Sequence, residues 1–531
     1  MNATFKNGFI FILTVFFSIV TISCSGTNEK QKEVIPLIPM DYWPNKDWRI
    51  STPERQGIDS SRLVKMMEYI DKKDKHIDSI TIIRNGYLVA DAYFYPYQKG
   101  YKHIIHSCTK SVISALVGIA IDKGYILSID QPVIEFFPDR SFDNLDANKR
   151  AMTLKHLLTM TSGLECRDSY KYKWAGLIEL TKSGDWTQHV LDLPMSHPPG
   201  EDYEYCNGVS FILSALIQKS TGMRTLDFAY QYLFGPLGIA DVSWDASPQG
   251  IDVGWGKMWL KPHDMAKFGL LYLNKGRWNG KQIISESWVE ASTQGHVRDG
   301  EVFDRYGFQW RIDDDGFYMA AGHAGQFIYI VPSKNMVVVF TSILGGMDFF
   351  FPYRLLKKYI IPSAVSSEPL PENPEKNAAL SALMAKSAIS NSADQVPAMP
   401  ELAMKISGKI YTFDPNVIGL KTLTLFFRQN GSEAEIEWIQ KDPRALLPDK
   451  DLRVLLSIGL DNVYRFTGDE ENRWARKGGW KTGDTFIFYY QRVGFTLKGL
   501  ATIKFENNKV LLRFDPFMGP PLKLTGYYPI K

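Results

Sequence analysis

The spacing of apolar and polar residues predicts a sheet built from two distant parts of the chain. Strand-like runs lie near both ends of one long region: residues 80–83, 87–94, 306–312, 326–331 and 336–340. An Asn-Gly pair between the first two runs is typical of a tight hairpin turn. The region between the early and the late runs has helical and loop-rich patterns. We therefore predict one antiparallel sheet, assembled from both ends of a domain and covered by helices.

A second strand-rich region follows a stretch of different composition. Residues 365–400 are rich in proline, serine and glutamate around a short Ala/Leu helix, which is typical of a linker. After this linker, apolar and polar residues alternate in several runs: 423–427, 435–439, 485–490, 501–505 and 510–514. We predict that residues 401–531 form an antiparallel β domain, similar to a lipocalin barrel.

An apolar run at residues 111–121 follows closely on a serine and a lysine. Such a run predicts a helix that is buried on every side, with Gly124 as its C-terminal stop. Ser107 and Lys110 then lie on one face of its first turn. A helix N-terminus and burial both disfavour a charged lysine, and a neutral lysine can take the proton of a serine nucleophile. The alternative is a serine that caps the helix beside a lysine that reaches solvent.

Two later motifs favour the catalytic interpretation. A Y-x-N motif, Tyr205 to Asn207, precedes another apolar helix, and an H-A-G sequence begins at His323, just before a strand. Together with Ser107-x-x-Lys110, they resemble the signature of the serine β-lactamase and penicillin-binding-protein superfamily. The likeness is closest to the class C β-lactamase-related, esterase-like branch, over residues 46–364. It implies an α+β fold with an antiparallel sheet covered by helices and a helical middle subdomain.

The resemblance also implies a role for each motif residue. Ser107 attacks an acyl carbon, and Lys110 and Tyr205 handle its proton. Which of these two is the principal base stays open. Asn207 holds Lys110 and a carbonyl group of the substrate. The partner is then a small-molecule acyl substrate, no cofactor is expected, and no metal site is predicted.

The third motif departs from the usual K-T-G and bears on the substrate. By resemblance, His323 and Gly325 lie on the substrate side, and the backbone N–H groups of Ser107 and Gln326 form the oxyanion hole. K-T-G offers a cation and a hydroxyl to a substrate carboxylate, whereas His323 is mostly neutral above about pH 6.5 and Ala324 has no hydroxyl. We therefore expect hydrolysis of a small ester or amide, D-amino-acid peptides included, rather than efficient β-lactam hydrolysis.

Two alternative functions stay open. A β-lactamase or a peptidoglycan DD-peptidase would use the same motifs on a different substrate. A non-catalytic envelope lipoprotein, acting as a sensor or scaffold, would be expected to lose its nucleophile or its base. Because the chain retains both, the sequence favours an enzyme.

Other residues near these motifs have two interpretations each. A literal K-T-G that begins at Lys481 lies in the predicted β domain, where a simple turn is the expected structure. Aromatic residues in the loop after Gly163 are expected either to line an acyl pocket or to pack in the core: Tyr170, Tyr172 and Trp174.

The three cysteines that follow Cys24 are expected to be small buried thiols. Their number is odd, and the spacings of Cys108, Cys166 and Cys206 match no metal site. Cys108 and Cys206 lie inside the motifs and can therefore come close in space. A thiol nucleophile at Cys108 is disfavoured, since it is one residue out of phase with Lys110.

The N-terminus predicts export and a lipid anchor. Residues 8–22 are apolar, follow Lys6 and are too short for a comfortable transmembrane span, as in a secretory signal. The sequence Thr-Ile-Ser-Cys that ends at Cys24 is similar to a bacterial lipobox. We expect a signal peptide at 1–23, a lipidated Cys24 and a polar tether at 24–45, giving a periplasm-facing or surface lipoprotein of the cell envelope. An ordinary signal peptide that contains a cysteine is the alternative.

Composition adds one exclusion. The chain has 531 residues, of which 45% are hydrophobic and 22% charged, with a formal net charge of +3. No cluster of lysine and arginine stands out, so nucleic acid is not an expected partner. The sequence does not identify protein partners.

Overall fold

The computed structural model describes residues 42–169, 172–300, 303–390, 392–441 and 451–528. The predicted signal peptide and Cys24 lie outside the described residues, as do Tyr170 and most of the predicted tether. Among the residues that are described, no helix is both long and apolar enough to cross a membrane.

The first part of the chain contains both short and long strands, which are numbered in chain order. The strands are β1 (Ile77–Arg84), β2 (Tyr87–Tyr93), β3 (His103–Ile104), β4 (Ser243–Trp244), β5 (Met258–Leu260), β6 (Arg277–Trp278), β7 (Lys281–Gln282), β8 (Val297–Arg298), β9 (Arg305–Tyr306), β10 (Arg311–Ile312), β11 (Tyr318–Gly322), β12 (Gln326–Val331) and β13 (Met336–Ser342). The helices lie mostly between β3 and β8.

The helices are also numbered in chain order. They are α1 (Ser60–Lys73), α2 (Cys108–Asp122), α3 (Ala147–Ala151), α4 (Leu154–Leu158), α5 (Ala175–Lys182), α6 (Trp186–Leu191), α7 (Asn207–Thr221), α8 (Thr225–Ala229), α9 (Pro262–Leu273), α10 (Glu286–Ser292), α11 (Phe351–Leu355), α12 (Ile361–Ser363), α13 (Pro374–Ala388) and α14 (Glu401–Ile406).

The predicted composite sheet is confirmed. Eight of the described strands pair in the order β2-β1-β13-β12-β11-β10-β9-β8, so the early β1 hydrogen-bonds to the late β13. Alternate residues of β13 belong to two different cores: Val337 and Val339 pack with α2 and α9, whereas Val338 and Phe340 pack with α1. Helices therefore cover both faces of the sheet, which buries every residue of β13.

Helix α2 is buried on all sides, as its sequence predicts. Every residue from Cys108 to Ala120 is buried. The chain leaves the helix at Gly124, whose φ of 77° lies in the left-handed region that glycine adopts without strain. The start of α2 is thus held firmly by packing along its whole length.

The C-terminal region forms the predicted barrel. Its strands are β14 (Ile410–Phe413), β15 (Leu420–Phe427), β16 (Glu433–Lys441), β17 (Asp451–Gly459), β18 (Arg465–Thr467), β19 (Trp474–Thr482), β20 (Thr485–Arg492), β21 (Lys498–Glu506), β22 (Lys509–Pro516) and β23 (Leu522–Tyr527). Nine of these described strands close into a ring, because β14 pairs with β23 and β17 meets β19, while β18 adds to the outside of β19. Apolar side chains fill the interior, and Ala403 and Ile406 of α14 pack against them.

The segment between the two regions is largely ordered against the first one. Helix α13 begins after Asn373, whose side chain caps it by accepting from the N–H of Lys376. It buries Leu380 in the core that contains α1. Near its end, the Ser387 hydroxyl donates to the carbonyl of Tyr93 in β2. A composition typical of a linker therefore includes a packed helix of 15 residues.

The cysteine expectation is partly wrong. Cys166 and Cys206 form a disulfide, with Cα atoms 5.5 Å apart. Cys108 is a free buried thiol, as expected. The pair was missed because its members are 40 residues apart in sequence, and only the folded loops bring them together.

Candidate active site

Ser107 lies at the start of α2 and contacts two other motif residues. The hydroxyl of Tyr205 donates to Ser107 Oγ at 2.7 Å, and Lys110 Nζ lies 3.2 Å from the same oxygen. The Ser107 side chain makes no capping hydrogen bond to the helix, and Lys110 is only 2% exposed. A simple helix cap beside a lysine that reaches solvent therefore does not describe this pair.

The Lys110 amine is surrounded by neutral oxygen atoms. Its Nζ donates to Asn207 Oδ1 at 2.8 Å and to the Trp255 carbonyl at 3.0 Å. Burial lowers the pKa of Lys110 well below its usual value, with a further lowering from Arg311 and an opposing influence of Asp168. A neutral amine has two N–H groups and one lone pair. The two carbonyl oxygens can take both N–H groups, which leaves the lone pair directed to the Ser107 hydroxyl.

Tyr205 differs from Lys110 in its protonation. Burial raises the pKa of Tyr205 to about 12, although its hydrogen bond to Ser107 acts in the opposite direction. The phenol therefore keeps its proton near neutral pH. Its ring centre lies 4.7 Å from Lys110 Nζ. The site thus pairs a serine with an amine that can accept a proton and a phenol that can donate one.

Asp168 and the disulfide support the Y-x-N segment. The backbone N–H of Asn207, the first residue of α7, donates to Asp168 Oδ2 at 2.7 Å. Asp168 is buried, which raises its pKa, and hydrogen bonds from Asn207 partly offset this increase. Two residues before Asp168, Cys166 is bonded to Cys206. The loop that contains Cys166 and Asp168 is therefore joined to the Y-x-N segment twice, covalently at Cys206 and by a hydrogen bond at Asn207.

The H-A-G sequence forms the tight turn between β11 and β12. At Gly325, φ is 90° and an added Cβ would lie 2.3 Å from Ser342 Oγ, so only glycine fits. The Gln326 side chain braces the turn by donating to the carbonyls of His323 at 3.1 Å and Ser342 at 2.7 Å. Gln326 is fully buried behind the turn, and the role of its N–H in an oxyanion hole stays a prediction.

His323 and Ala324 occupy different surroundings in this turn. The His323 side chain is exposed at the edge of a cavity, and the protein packed around the rest of the ring lowers the pKa of its imidazole. The lowered pKa favours the neutral form at pH 7. Ala324 is buried with φ of 62°, a conformation that disfavours β-branched residues. A threonine, as in K-T-G, would be strained in this turn.

Two cavities flank Ser107. The larger, of about 540 Å³, is lined mainly by apolar side chains, with Arg311 at its wall: Trp174, Ala321, Met347, Phe349 and Phe350. The smaller, of about 270 Å³, is lined by His106, Leu177, Trp255 and Lys257. Both cavities also include Ser107, Trp174 and His323. Of the loop aromatics, Trp174 therefore lies at the site.

Several residues at the site had no clear signal in the sequence. Arg311 is in the predicted strand region, yet its ion pair with the buried Asp299 depends on how β8, β9 and β10 pair in the sheet. Asp168 belongs to no motif. The Trp255 carbonyl is a backbone group, which no residue type indicates. Asp168 could have been suspected only from its place beside a cysteine, and then only with the disulfide known.

The competing nucleophile and the second K-T-G have other roles. Cys108 is buried, its Sγ donates to the Gln326 carbonyl at 3.4 Å, and burial raises the pKa of the thiol. It is therefore not activated as a nucleophile. The literal K-T-G ends β19 and begins the exposed turn to β20, where the Thr482 hydroxyl donates to Asp484. In the described part of the chain, no group of three or more His, Cys, Asp and Glu side chains could hold a metal ion.

The chain is similar to known proteins in family and in fold. A family model described as Beta-lactamase matches residues 68–354. A 6-aminohexanoate-dimer hydrolase from Paenarthrobacter ureafaciens is 22% identical over 284 residues, which cover 49% of this chain and 71% of that protein. A monacolin J acid methylbutanoyltransferase from Aspergillus terreus is 29% identical over 119 residues, 21% of this chain and 28% of that protein.

One solved structure supports the fold. A protein from Bacillus anthracis, described as a candidate 6-aminohexanoate-dimer hydrolase, superposes with a TM-score of 0.50 at 21% identity. The match covers 63% of this chain and 89% of the other. At this identity the likeness supports the fold of the sheet-containing region and says nothing about substrate.

Proposed function

Since the chain belongs to the β-lactamase family and is a serine hydrolase, we propose that it cleaves a small ester or amide through an acyl-enzyme formed on Ser107. The observation that carries this proposal is the convergence of Tyr205 Oη and Lys110 Nζ on Ser107 Oγ, at 2.7 and 3.2 Å. A nucleophile and base within hydrogen-bond reach, with the base oriented by a third group, is the arrangement that activates a serine. Asn207 is that third group.

In acylation, Lys110 is the principal base and Tyr205 the proton relay. Ser107 Oγ attacks the acyl carbon and gives its proton to the neutral Lys110 amine. Tyr205 donates its proton to the leaving group and regains one from Lys110, so the leaving group departs protonated. The lowered pKa of Lys110 and the raised pKa of Tyr205 support this division of roles. The choice of Lys110 as the principal base is thus part of the proposal, since the motifs leave that question open.

Hydrolysis of the acyl-enzyme uses the same relay in reverse. A water molecule takes the position of the leaving group and passes a proton through Tyr205 as it attacks the acyl carbon. Ser107 Oγ recovers a proton from Lys110 when the acyl group leaves. In both steps, the N–H groups of Ser107 and Gln326 stabilise the oxyanion, each donor contributing about 2.7–4 kcal/mol.

The walls of the larger cavity support an apolar acyl group without a free carboxylate. Its lining is rich in aromatic and aliphatic side chains, and Arg311 is already paired with Asp299. His323 adds no fixed cation. Esters and amides, D-amino-acid peptides included, fit these walls better than penicillin-like carboxylates. A β-lactamase or DD-peptidase is the alternative enzyme, and a sensor or scaffold is disfavoured because all three catalytic groups are in contact.

We also propose that the protein is an envelope lipoprotein anchored through Cys24. The disulfide between Cys166 and Cys206 supports an oxidising compartment, since such bonds are rare in the cytosol. The apolar leader and lipobox-like sequence supply the export signal and the acceptor cysteine.

Ser107→Ala is expected to abolish labelling by a fluorophosphonate probe, because the probe bonds to the activated serine oxygen. Ser111→Ala is the matched control. Ser111 lies in the same helix and is buried, but its hydroxyl donates to the Gln309 carbonyl at 2.7 Å instead of facing the site. Mass spectrometry of the labelled peptide measures both. Stoichiometric labelling of Ser107→Ala would show that the nucleophile is another residue.

Lys110→Ala, Tyr205→Phe and the double variant are expected to lose several powers of ten in kcat/KM, to a similar floor, because the two groups pass one proton. Tyr203→Phe, on the same segment, is the control and should keep most activity. In the wild type, kcat/KM should reach its plateau well below the pH at which a free lysine amine becomes neutral, because the pKa of Lys110 is lowered. It should fall on acidification, when Lys110 becomes charged. Steady-state ester hydrolysis measures both, and losses that multiply in the double variant would contradict a shared relay.

Short-chain p-nitrophenyl esters are expected to exceed nitrocefin in kcat/KM by at least tenfold. A lost hydrogen bond to a charged group corresponds to about 1.5–3 kcal/mol, or roughly ten- to 150-fold. His323→Lys should reduce this difference by raising kcat/KM for nitrocefin. His323→Met changes the size of the side chain without adding a charge, so it should leave the difference as it is. Ala324 stays unchanged, because threonine would be strained there. Efficient nitrocefin hydrolysis by the wild type, unaffected by His323→Lys, would mean that another group binds the carboxylate.

Cys24→Ser is expected to remove incorporation of labelled palmitate and to release the protein from membranes, because an acyl-modified N-terminus then no longer forms. Ser25→Ala, which keeps the thiol, is the control and should remain in the membrane fraction. Fractionation and N-terminal mass spectrometry measure the outcome. Wild-type protein that is soluble, with an unmodified N-terminus elsewhere, would contradict the anchor.

A further inference from the structure

The turn between β20 and β21 of the barrel lies directly against the segment that leads to Ser107. The N–H of Ile104, in β3, donates to the carbonyl of Gly494 at 2.8 Å. At Gly494, φ is 75°, and an added Cβ would lie 2.3 Å from the Lys102 carbonyl. Only glycine permits this approach. The contact is therefore a fitted one between backbones of the barrel and of the hydrolase region.

The same turn also contacts His106, the residue that precedes the nucleophile. Thr496 Oγ1 lies 2.9 Å from His106 Nε2. His106 has φ of 46°, which is uncommon for a residue with a side chain, so its position needs support from its surroundings. Its ring packs edge-on against His323, with ring centres 5.3 Å apart. His106 thus contacts both the barrel and the H-A-G turn, and it lines the smaller cavity.

Aromatic stacking keeps this turn in place. Phe495 stacks on Trp259 of β5, with ring centres 5.6 Å apart and planes 18° from parallel. The guanidinium of Arg492 lies 4.6 Å from the Phe495 ring centre and 5.3 Å from that of Trp259. Such contacts stabilise the turn beyond the burial of apolar area. Thr496 is therefore presented to His106 from an anchored turn.

The barrel is also docked elsewhere through buried side chains. Tyr93 and Tyr97 of the hydrolase region form one apolar cluster with Ala475 and Val493 of the barrel. On the other side, barrel residues reach the segment before the larger cavity: Gly345 faces Phe517 and Met518. Burial of apolar surface favours a fixed arrangement of the two parts. The barrel accordingly contacts His106, which lines the smaller cavity, and Gly345, which precedes a residue that lines the larger one.

We propose that Thr496 of the barrel is a positioning residue of the hydrolase site, which holds the His106 ring so that the smaller cavity beside Ser107 stays shaped for the leaving group of an acyl substrate. The inference rests on the proposed function, since it assigns that cavity to the same reaction. It gives the barrel a part in substrate selection. Burial lowers the pKa of His106 well below its usual value, with added lowering from His323, so the ring forms a neutral wall.

The test compares Thr496→Val, which removes the hydroxyl but keeps the shape, with Thr496→Ser, which keeps the hydroxyl. For esters with a bulky aromatic leaving group, Thr496→Val should lower kcat/KM about three- to tenfold, mainly through KM, as expected for one lost neutral hydrogen bond. Esters with a methyl leaving group should change less than twofold. Thr496→Ser should restore the wild-type values. Thr482→Val, which removes a hydroxyl at the opposite barrel turn, is the control and should leave activity unchanged.

A double-mutant cycle with His106→Ala tests whether Thr496 acts through His106. Thr496→Val should have no further effect on a His106→Ala background. An equal effect on both backgrounds, or wild-type kinetics for Thr496→Val with every ester, would overturn the inference. Should Thr496→Val not fold, Thr496→Ala enters the same cycle. A wild-type protein that neither labels at Ser107 nor cleaves any ester would instead overturn the proposed function.

Discussion

The burial of a lysine amine beside a serine hydroxyl is the constraint around which this site is arranged. Charge on Lys110 is costly because α2 is packed on all sides, yet the amine keeps its hydrogen bonds. Its partners are the Asn207 amide oxygen and a backbone carbonyl, not a carboxylate. The nearest acid, Asp168, accepts from the Asn207 N–H instead. Because no carboxylate accepts directly from the amine, burial dominates and the pKa of Lys110 falls well below its usual value.

The remainder of the fold brings three chain segments together around Ser107: the start of α2, the Y-x-N segment and the H-A-G turn. The central strand β13 of the composite sheet is buried on both faces, and one of these faces packs in the same core as α2. This packing fixes α2 from one side. The disulfide and Asp168 fix the segment that carries Tyr205 and Asn207. The turn at Gly325 approaches Ser342 so closely that no side chain fits, which fixes His323 beside the cavities. A proton can pass among Ser107, Lys110 and Tyr205 only if the first two segments keep their positions closely, while the third keeps His323 at the cavities.

The barrel extends this arrangement beyond the hydrolase region. Gly494 brings a barrel turn onto the strand before Ser107, and Thr496 reaches His106 from it. A barrel residue therefore contacts His106, which lines the smaller cavity beside Ser107. Under our proposal, this barrel turn influences substrate preference without contacting Lys110 or Tyr205.

The sequence by itself determined the parts of the protein that depend on local pattern. Residue periodicity predicted the composite sheet, the buried helix after Ser107 and the barrel, because side-chain alternation reports which faces are buried. The spacing of Ser107 and Lys110 predicted that they share one helix face, and the resemblance to the β-lactamase signature added Tyr205 to them. Only the tertiary structure decided the pairing of Cys166 with Cys206, the hydrogen bond of Asp168 and the approach of Thr496 to His106. These contacts join residues far apart in the chain, and no periodicity or spacing encodes which distant loops will meet. The protonation of Lys110 was likewise decided by folding, since the pKa of an amine depends on the water and charge around it.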